Sequence, residues 1–160
     1  MKAEHVNAFL VPAVNVISKM AKIDVKLDKP TKIERDMMPQ ESTQLSTIIG
    51  ISGGMSGSVT LSASDQSART LCAKIISEDP ETISEEDIHA IFSEIANTIA
   101  GNAAGALYDL GVKADITPPT LVKGDCITIR FLEGMDIINI PILLDFGRLD
   151  LRVAFTKDKK

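Results

Sequence analysis

The order of hydrophobic and polar positions divides the chain into helical and extended stretches. Residues 3–20 carry apolar side chains at helical spacing, and Pro12 inside this pattern predicts a first helix that kinks or begins there. Residues 22–28 alternate apolar and charged side chains, which is typical of a half-buried strand. The runs QLSTIIGIS and GSVTLSA flank a glycine-rich turn at 53–56, which predicts a hairpin.

Two further helices and a second extended region follow. Ser64 and Ser84 are residues of the type that caps helix starts, and Gly111 predicts the end of a third helix of about 26 residues. Beyond it, the runs CITIRFL, DIINIPILLDF and LDLRVAFT predict strands, with turns at Glu133-Gly134 and Gly147. The faces expected to pack on the sheet are Ala68, Leu71, Cys72, Ile75 and Ile76 in the second helix, and Ile88, Phe92, Ile95, Ile99, Ala103, Ala106 and Leu110 in the third.

The order of these elements predicts the fold class. Strands come in runs rather than alternating with helices, so we expect an α+β protein with three helices covering a largely antiparallel sheet. Each half of the chain has a helix, then a proline, then strands, which indicates an internal pseudo-repeat. The length of 160 residues fits a single domain over residues 1–156, followed by a frayed tail at 157–160.

Composition and charge exclude several classes of protein. The net charge of −5 argues against a nucleic-acid binder with a basic face. No apolar run approaches the roughly 20 residues of a membrane span, and no signal peptide is evident, so a cytoplasmic protein is expected. Cys72 and Cys126 lie in apolar sequence and predict two buried thiols. His5 and His89 lack metal-ligand spacing, so no metal site is predicted.

The third helix carries the most specific pattern in the chain. Glu94 and Asn97 are three residues apart, so both side chains emerge from one face, opposite the apolar one. Gly101 and Gly105 follow on that face, although glycine in a helix interior costs about 0.8–1 kcal/mol relative to alanine. This favours a surface that another molecule approaches closely, while small residues could equally admit a neighbouring helix of the same chain. The full stripe comprises Asp87, Ala90, Glu94, Asn97, Gly101, Ala104, Gly105 and Tyr108.

These residues also carry a family resemblance. The run SEIANTIAGN at 93–102, then Leu110-Gly111 and DITPPT at 115–120, resembles the CheC/CheX/FliY family of chemotaxis phosphatases, as does IGISGGMSGS at 49–58. The likeness covers nearly the whole chain and is closest to the CheX branch. It implies a CheC-like fold and hydrolysis of the aspartyl phosphate on a CheY-type receiver in two-component chemotaxis signalling. It also implies no cofactor of the chain's own, with Mg²⁺ held by the receiver.

The resemblance matches Glu94 to the family's glutamate and Asn97 to its asparagine. A carboxamide offers a donor and an acceptor without titrating near neutral pH, so Asn97 is the candidate for orienting the attacking water. Glu94 is expected to contact a lysine of the receiver, because an exposed carboxylate is a feeble general base. Ala90 stands where the family often has Asp or Ser, which leaves the details of docking open. The expected partner-binding surface comprises Ala90, Gly101, Ala104 and Gly105.

The first helix repeats the E-x-x-N spacing at Glu4 and Asn7, with Pro30 following at a distance similar to that of the later prolines. Members of the CheC type use two such sites, so this pair is a second candidate site. Pro12 disturbs the helix that carries it, and CheX-like members resemble single-site enzymes.

Other interpretations stay open at this point. The same surface could bind a receiver or a flagellar-switch component without turnover. Alternatively, Gly101 and Gly105 could form a homodimer seam that buries Glu94 and Asn97. A hydrolase with its own nucleophile is disfavoured. The G-x-S-x-G match at 50–54 falls in the predicted hairpin rather than at a strand-to-helix turn, and no P-loop occurs. A homodimer is expected in any case, through edge pairing of the C-terminal strands IINIPILLDF and LDLRVAFT, which would otherwise be exposed.

Overall fold

The structure is a computed structural model and describes residues 1–33 and 43–157. In these residues, three helices lie on one face of a sheet of eight strands. The helices are α1 (Ala3–Ala21), α2 (Asp65–Ile76) and α3 (Glu85–Asp109). The strands are β1 (Lys26–Leu27), β2 (Thr31–Ile33), β3 (Leu45–Gly53), β4 (Gly57–Ala63), β5 (Ala114–Ile116), β6 (Thr120–Lys123), β7 (Met135–Leu144) and β8 (Gly147–Thr156).

The sheet has the strand order β1-β7-β8-β4-β3-β5, with β2 also paired to β7 and β6 also paired to β3. Every pairing is antiparallel. The predicted α+β class, with three helices on a largely antiparallel sheet, is therefore confirmed. The expectation that β7 and β8 form a bare edge is wrong. β8 lies between β4 and β7, and β1 and β2 cover the other side of β7.

Each edge of the sheet is built from two short strands separated by proline. Pro30 lies between β1 and β2, and Pro118 and Pro119 lie between β5 and β6. Proline cannot donate a ladder hydrogen bond, and short interrupted strands are a common way to protect a sheet edge. The two edges are therefore poor templates for pairing with another chain, and β7 and β8, which have partners on both sides, cannot pair edge to edge in a homodimer.

The register of the edge strands shows the internal pseudo-repeat. Lys26 of β1 pairs with β7, and Ile116 of β5, which is 90 residues later, pairs with β3. The same offset relates Thr31 of β2 to Leu121 of β6. The equivalent hairpins, β3–β4 and β7–β8, meet at the central β4–β8 pair. The equivalent strands β4 and β8 run in opposite directions. The equivalent helices α1 and α3 therefore also run in opposite directions.

Local signals at the helix ends act as predicted. The Ser64 side chain accepts from the backbone N–H of Ser67 at the start of α2, and Ser84 accepts from Asp87 at the start of α3. Gly111 follows α3 with a φ of +83°, the left-handed conformation that glycine adopts readily at a helix end. The helix α1 continues through Pro12 and does not begin there. Packing of its buried face against the sheet outweighs the hydrogen bond that proline cannot make.

Three other expectations need correction. The strand predicted at 22–28 is reduced to β1, and CITIRFL is not a strand, whereas β5 and β6 form on either side of the prolines. CITIRFL belongs to the connection from β6 to β7, in which Phe131 packs on Ile137 and Ala154 on the face of the sheet away from the helices. This connection leaves Cys126 exposed, whereas Cys72 is buried as predicted. Of the predicted tail, residues 158–160 lie outside the described residues.

The core lies between the helices and the sheet face that carries alternate residues of the four central strands. Phe9 of α1 packs against Phe155 of β8, with 5.9 Å between ring centroids. The predicted apolar face of α3 is buried up to its last turn, where Leu107 is buried and Leu110 is 42% exposed. In α2, Ile76 is likewise exposed, because it is the last residue of its helix.

Candidate active site

The helix α3 presents the predicted stripe to solvent because its opposite face is committed to the core. Its buried residues are Ile88, Phe92, Ile95, Ala96, Ile99, Ala100, Ala103 and Leu107. On the other side, Glu94 is exposed and Asn97 is half-buried, with Ala90 exposed one turn before Glu94. The structure therefore brings the two predicted catalytic residues together on one accessible helix face, in the middle of a rigid element.

The Glu94 carboxylate has one hydrogen bond to the described residues. The Thr98 hydroxyl donates to Glu94 Oε1 over 3.2 Å, so one oxygen is held and Oε2 is left for another donor. Thr98 is half-buried and lies one turn beyond Glu94. Sequence reasoning overlooked Thr98, although its spacing of four residues from Glu94 was visible in the chain.

The two glycines of the stripe have open space above them. A Cβ built on Gly105 would meet no atom of the described residues within 4 Å, and one on Gly101 would meet only Ile116 Cδ1, at 4.0 Å. The interpretation that they admit a neighbouring helix of the same chain is therefore wrong for the described part of the chain. Ala104, between them, is half-buried. The space directly above the two glycines is therefore open among the residues described here.

This surface continues into a groove between α3 and α1, with a volume of about 640 Å³. The α1 wall includes Asn7, Val11, Asn15 and Lys19, and the α3 wall includes Gly101 and Gly105. The sequence contained no local signal for this α1 wall, because it depends on how the two helices pack. The α3 wall is low at the two glycines, although Asn102 and Asp109 also line it, and the α1 wall carries longer side chains opposite the glycines.

The second E-x-x-N turn has different surroundings. Glu4 and Asn7 are both exposed on the first two turns of α1. Glu4 Oε1 lies 3.7 Å from Lys2 Nζ and 3.9 Å from His5 Nε2. The offset of 90 residues places the buried Ala8 where α3 has Thr98. The α1 turn therefore has the same Glu and Asn as the α3 turn, but it has no hydroxyl at the position equivalent to Thr98.

Ion pairs fix the start of α3 to its neighbours. Glu85 in the first turn bonds to Arg69 of α2 and to Lys123 of β6. The hydrogen bond from Lys123, followed by that from Arg69, holds the pKa of Glu85 below its ordinary value against the opposing effect of desolvation. These contacts attach the helix that carries the site to both the sheet edge and α2.

Other chemistry finds little support in the residues described. Among residues 1–33 and 43–157, no group of three or more His, Cys, Asp or Glu side chains could hold a metal ion. Burial raises the pKa of the Cys72 thiol to about 12, so it is not a nucleophile. In the same residues, no helix has the length and hydropathy needed to cross a bilayer. The candidate site itself presents the carboxylate of Glu94 and the carboxamide of Asn97.

Comparison with known proteins agrees with this geometry. Residues 45–143 match the family model "Chemotaxis phosphatase CheX". The chain is 34% identical to the CheY-P phosphatase CheX of Thermotoga maritima over 143 aligned residues. These residues cover 89% of this chain and 88% of that protein. Among solved structures, a CheC-like superfamily protein from Shewanella sp. PV-4 has a TM-score of 0.86 and 26% identity, covering 98% of this chain and 100% of that one.

A solved complex is also similar. The match to the CheX–CheY–BeF₃–Mg²⁺ complex from Borrelia burgdorferi has a TM-score of 0.80 and 26% identity, and it covers 96% of this chain and 98% of that one. The fold of three helices on an antiparallel sheet and the match to the family model over most of the chain lead to one conclusion. The chain belongs to the CheX family of chemotaxis phosphatases.

Proposed function

We propose that this chain hydrolyses the aspartyl phosphate of a CheY-type receiver, with Asn97 orienting the attacking water and Glu94 docking a lysine of the receiver. Its similarity to a CheY-P phosphatase over most of its length supports the reaction and the partner. The observation that carries the residue assignment is the accessible Glu94–Asn97 pair on α3, which is followed on the same face by two glycines with open space above them.

The reaction needs little chemistry from this chain. An acyl phosphate is already activated, and the receiver holds Mg²⁺ and a lysine around it. Water attacks phosphorus, the bond between phosphorus and the aspartyl oxygen breaks, and the aspartate leaves as a carboxylate. Phosphate retains the oxygen of the water, and one proton passes to phosphate or solvent. Asn97 acts by accepting from and donating to that water so that it lies in line with the breaking bond.

Glu94 acts before this step. Its free Oε2 can accept a charge-assisted hydrogen bond from the receiver's lysine, which fixes the register of the two proteins. Asn97 lies three residues along the same helix, so this contact also sets where its carboxamide reaches. A rigid helix suits the task, because an error of about 1 Å in placing reacting groups can lower a rate on the order of 10²-fold.

The partner-binding surface follows from the same stripe. Ala90, Gly101, Ala104 and Gly105 carry little or no side chain, so the receiver's backbone can approach α3 closely. The α1 wall of the groove then lies beside the bound receiver. We also propose that the chain is a homodimer in solution, through a surface other than the β7 and β8 strands, which sedimentation would test.

The direct test is phosphate release from a Mg²⁺-loaded, acyl-phosphorylated CheY-type receiver, with and without this protein and its Asn97→Ala variant. We expect acceleration by the wild type, none by Asn97→Ala, and similar binding of both to the receiver. Binding without acceleration by the wild type would favour the non-catalytic docking module. Full activity in Asn97→Ala would overturn the assignment and direct attention to Glu4 and Asn7.

A further inference from the structure

At the candidate site on α3, the hydroxyl of Thr98 donates a hydrogen bond to the carboxylate of Glu94. In helices, threonine hydroxyls commonly bond to a backbone carbonyl one turn back. Here the bond goes to the side chain of Glu94, over 3.2 Å. It therefore restricts a side chain that would otherwise move freely in solvent.

We propose that Thr98 is a positioning residue for receiver dephosphorylation, because its hydroxyl holds the Glu94 carboxylate ready for the receiver's lysine. This inference rests on the proposed docking role of Glu94. A free glutamate samples many rotamers, and docking must restrict them before the charge-assisted bond forms. When Thr98 already holds Oε1, the Glu94 side chain loses less conformational freedom on binding. Its Oε2 is also turned toward the donor on the receiver, so this preorganisation strengthens binding.

The internal repeat provides a comparison within the same chain. At the position equivalent to Thr98, α1 has Ala8, which carries no hydroxyl and is buried. Glu4 consequently lies near Lys2 and His5 at 3.7 and 3.9 Å rather than in a hydrogen bond with its own helix one turn further on. The two turns share Glu and Asn, and the fifth residue of E-x-x-N-T is one of the positions at which they differ.

The test compares Thr98→Val, which replaces the hydroxyl with a methyl group and keeps the branched shape, with Thr98→Ser, which keeps the hydroxyl. Phosphate release is measured over a range of phosphorylated-receiver concentrations to separate kcat from KM, with thermal unfolding as the check on folding. We expect Thr98→Val to raise KM by about threefold to tenfold with little change in kcat. Thr98→Ser should restore KM to within about twofold of the wild type, since its hydroxyl can reach the same oxygen.

A matched control lies on α2. There Gln66 Nε2 donates to the half-buried Thr70 hydroxyl over 3.3 Å, again with a spacing of four residues in one helix. Thr70→Val removes an equivalent hydroxyl away from the site and should leave both kcat and KM unchanged. It therefore separates the general effect of valine in a helix from the loss of the contact with Glu94.

A double-mutant cycle gives the decisive outcome. In the Glu94→Ala background, Thr98→Val should have no further effect on KM, because the group that it positions is gone. An unchanged KM in Thr98→Val alone, or an equal loss with and without Glu94, would overturn the role of Thr98 while leaving the docking role of Glu94 intact. If Glu94→Ala itself leaves KM unchanged, the docking role fails, and the proposal for Thr98 fails with it.

Discussion

The two E-x-x-N turns of this protein share a spacing and a place in the repeat, yet they differ in nearly everything around them. On α3, Glu94 is held by Thr98 and followed by open glycines. On α1, Glu4 lies near Lys2 and His5, and the position equivalent to Gly101 is Val11, which is 59% exposed. The comparison teaches that two residues at the right spacing make a candidate, whereas their neighbours decide whether a partner can use it.

The largest difference between the turns should appear when each asparagine is removed. We expect Asn97→Ala to lower the rate of phosphate release at saturating receiver by at least about 10²-fold, since the water loses its alignment. Asn7→Ala should stay within about twofold of the wild type. Single-turnover phosphate release, with matched unfolding curves for both variants, measures the contrast. Equal losses of phosphate-release rate in the two variants would establish that both the α3 and the α1 turns are working sites.

Neutralising each glutamate sharpens the comparison further. Glu94→Gln should weaken receiver binding by about tenfold or more, with a smaller effect on turnover at saturation, because a charge-assisted contact is lost at an interface. Glu4→Gln is the matched control and should bind the receiver as the wild type does. Titration of the phosphorylated-receiver analogue gives the affinities. Lost turnover with unchanged affinity in Glu94→Gln would instead assign Glu94 as a general base.

Making the α3 stripe resemble α1 tests the role of the glycines. The double substitution Gly101→Val and Gly105→Asn introduces the residues that α1 carries at the equivalent positions, Val11 and Asn15. We expect receiver affinity to fall by about fivefold or more, the effect of overfilling a close contact. Helix propensity should meanwhile stabilise the free protein by about 0.5 kcal/mol. Unchanged affinity in a more stable protein would mean that the receiver does not approach this surface.

The smallest effect is expected for the glutamates in the first turns of α3 and α1, and it concerns the stability of the fold. Glu85 on α3 has its pKa lowered by Lys123 and Arg69, so its contribution to stability is present above the ordinary glutamate range near 4.3 and is lost as pH falls through the lowered value. At pH 7, Glu85→Gln should lower the free energy of unfolding by at most about 1 kcal/mol, since the pairs are exposed. That difference should disappear in acid. Glu4→Gln should change stability little at either pH.

Local chemistry explains what the sequence alone could predict. The bounds of α3 follow from Ser84 and Gly111, and its two faces follow from helical periodicity, so Glu94 and Asn97 could be placed correctly. The short edge strands could not, because β1, β2, β5 and β6 are defined by pairing with distant β7 and β3. CITIRFL has a strand-like composition, yet it serves as a connection whose Phe131 packs on the sheet.

The candidate site could likewise be predicted from the sequence only in part. The E-x-x-N spacing is a property of one helix, but the α1 wall of the groove arises from the packing of two helices far apart in sequence. Thr98 was visible at a spacing of four residues from Glu94. Nothing in the sequence, however, indicated whether its hydroxyl would bond to the backbone, to solvent or to that carboxylate.

The exchange of edge strands between the two halves has a consequence for how the protein folds. The first half supplies β1 and β2 to β7 of the second, and the second half supplies β5 and β6 to β3 of the first. Neither half can complete its sheet before the other has formed, so folding must close long loops early and should proceed as one cooperative transition. The two halves of the repeat are thus joined through both edges of the sheet, and neither half holds a complete sheet of its own.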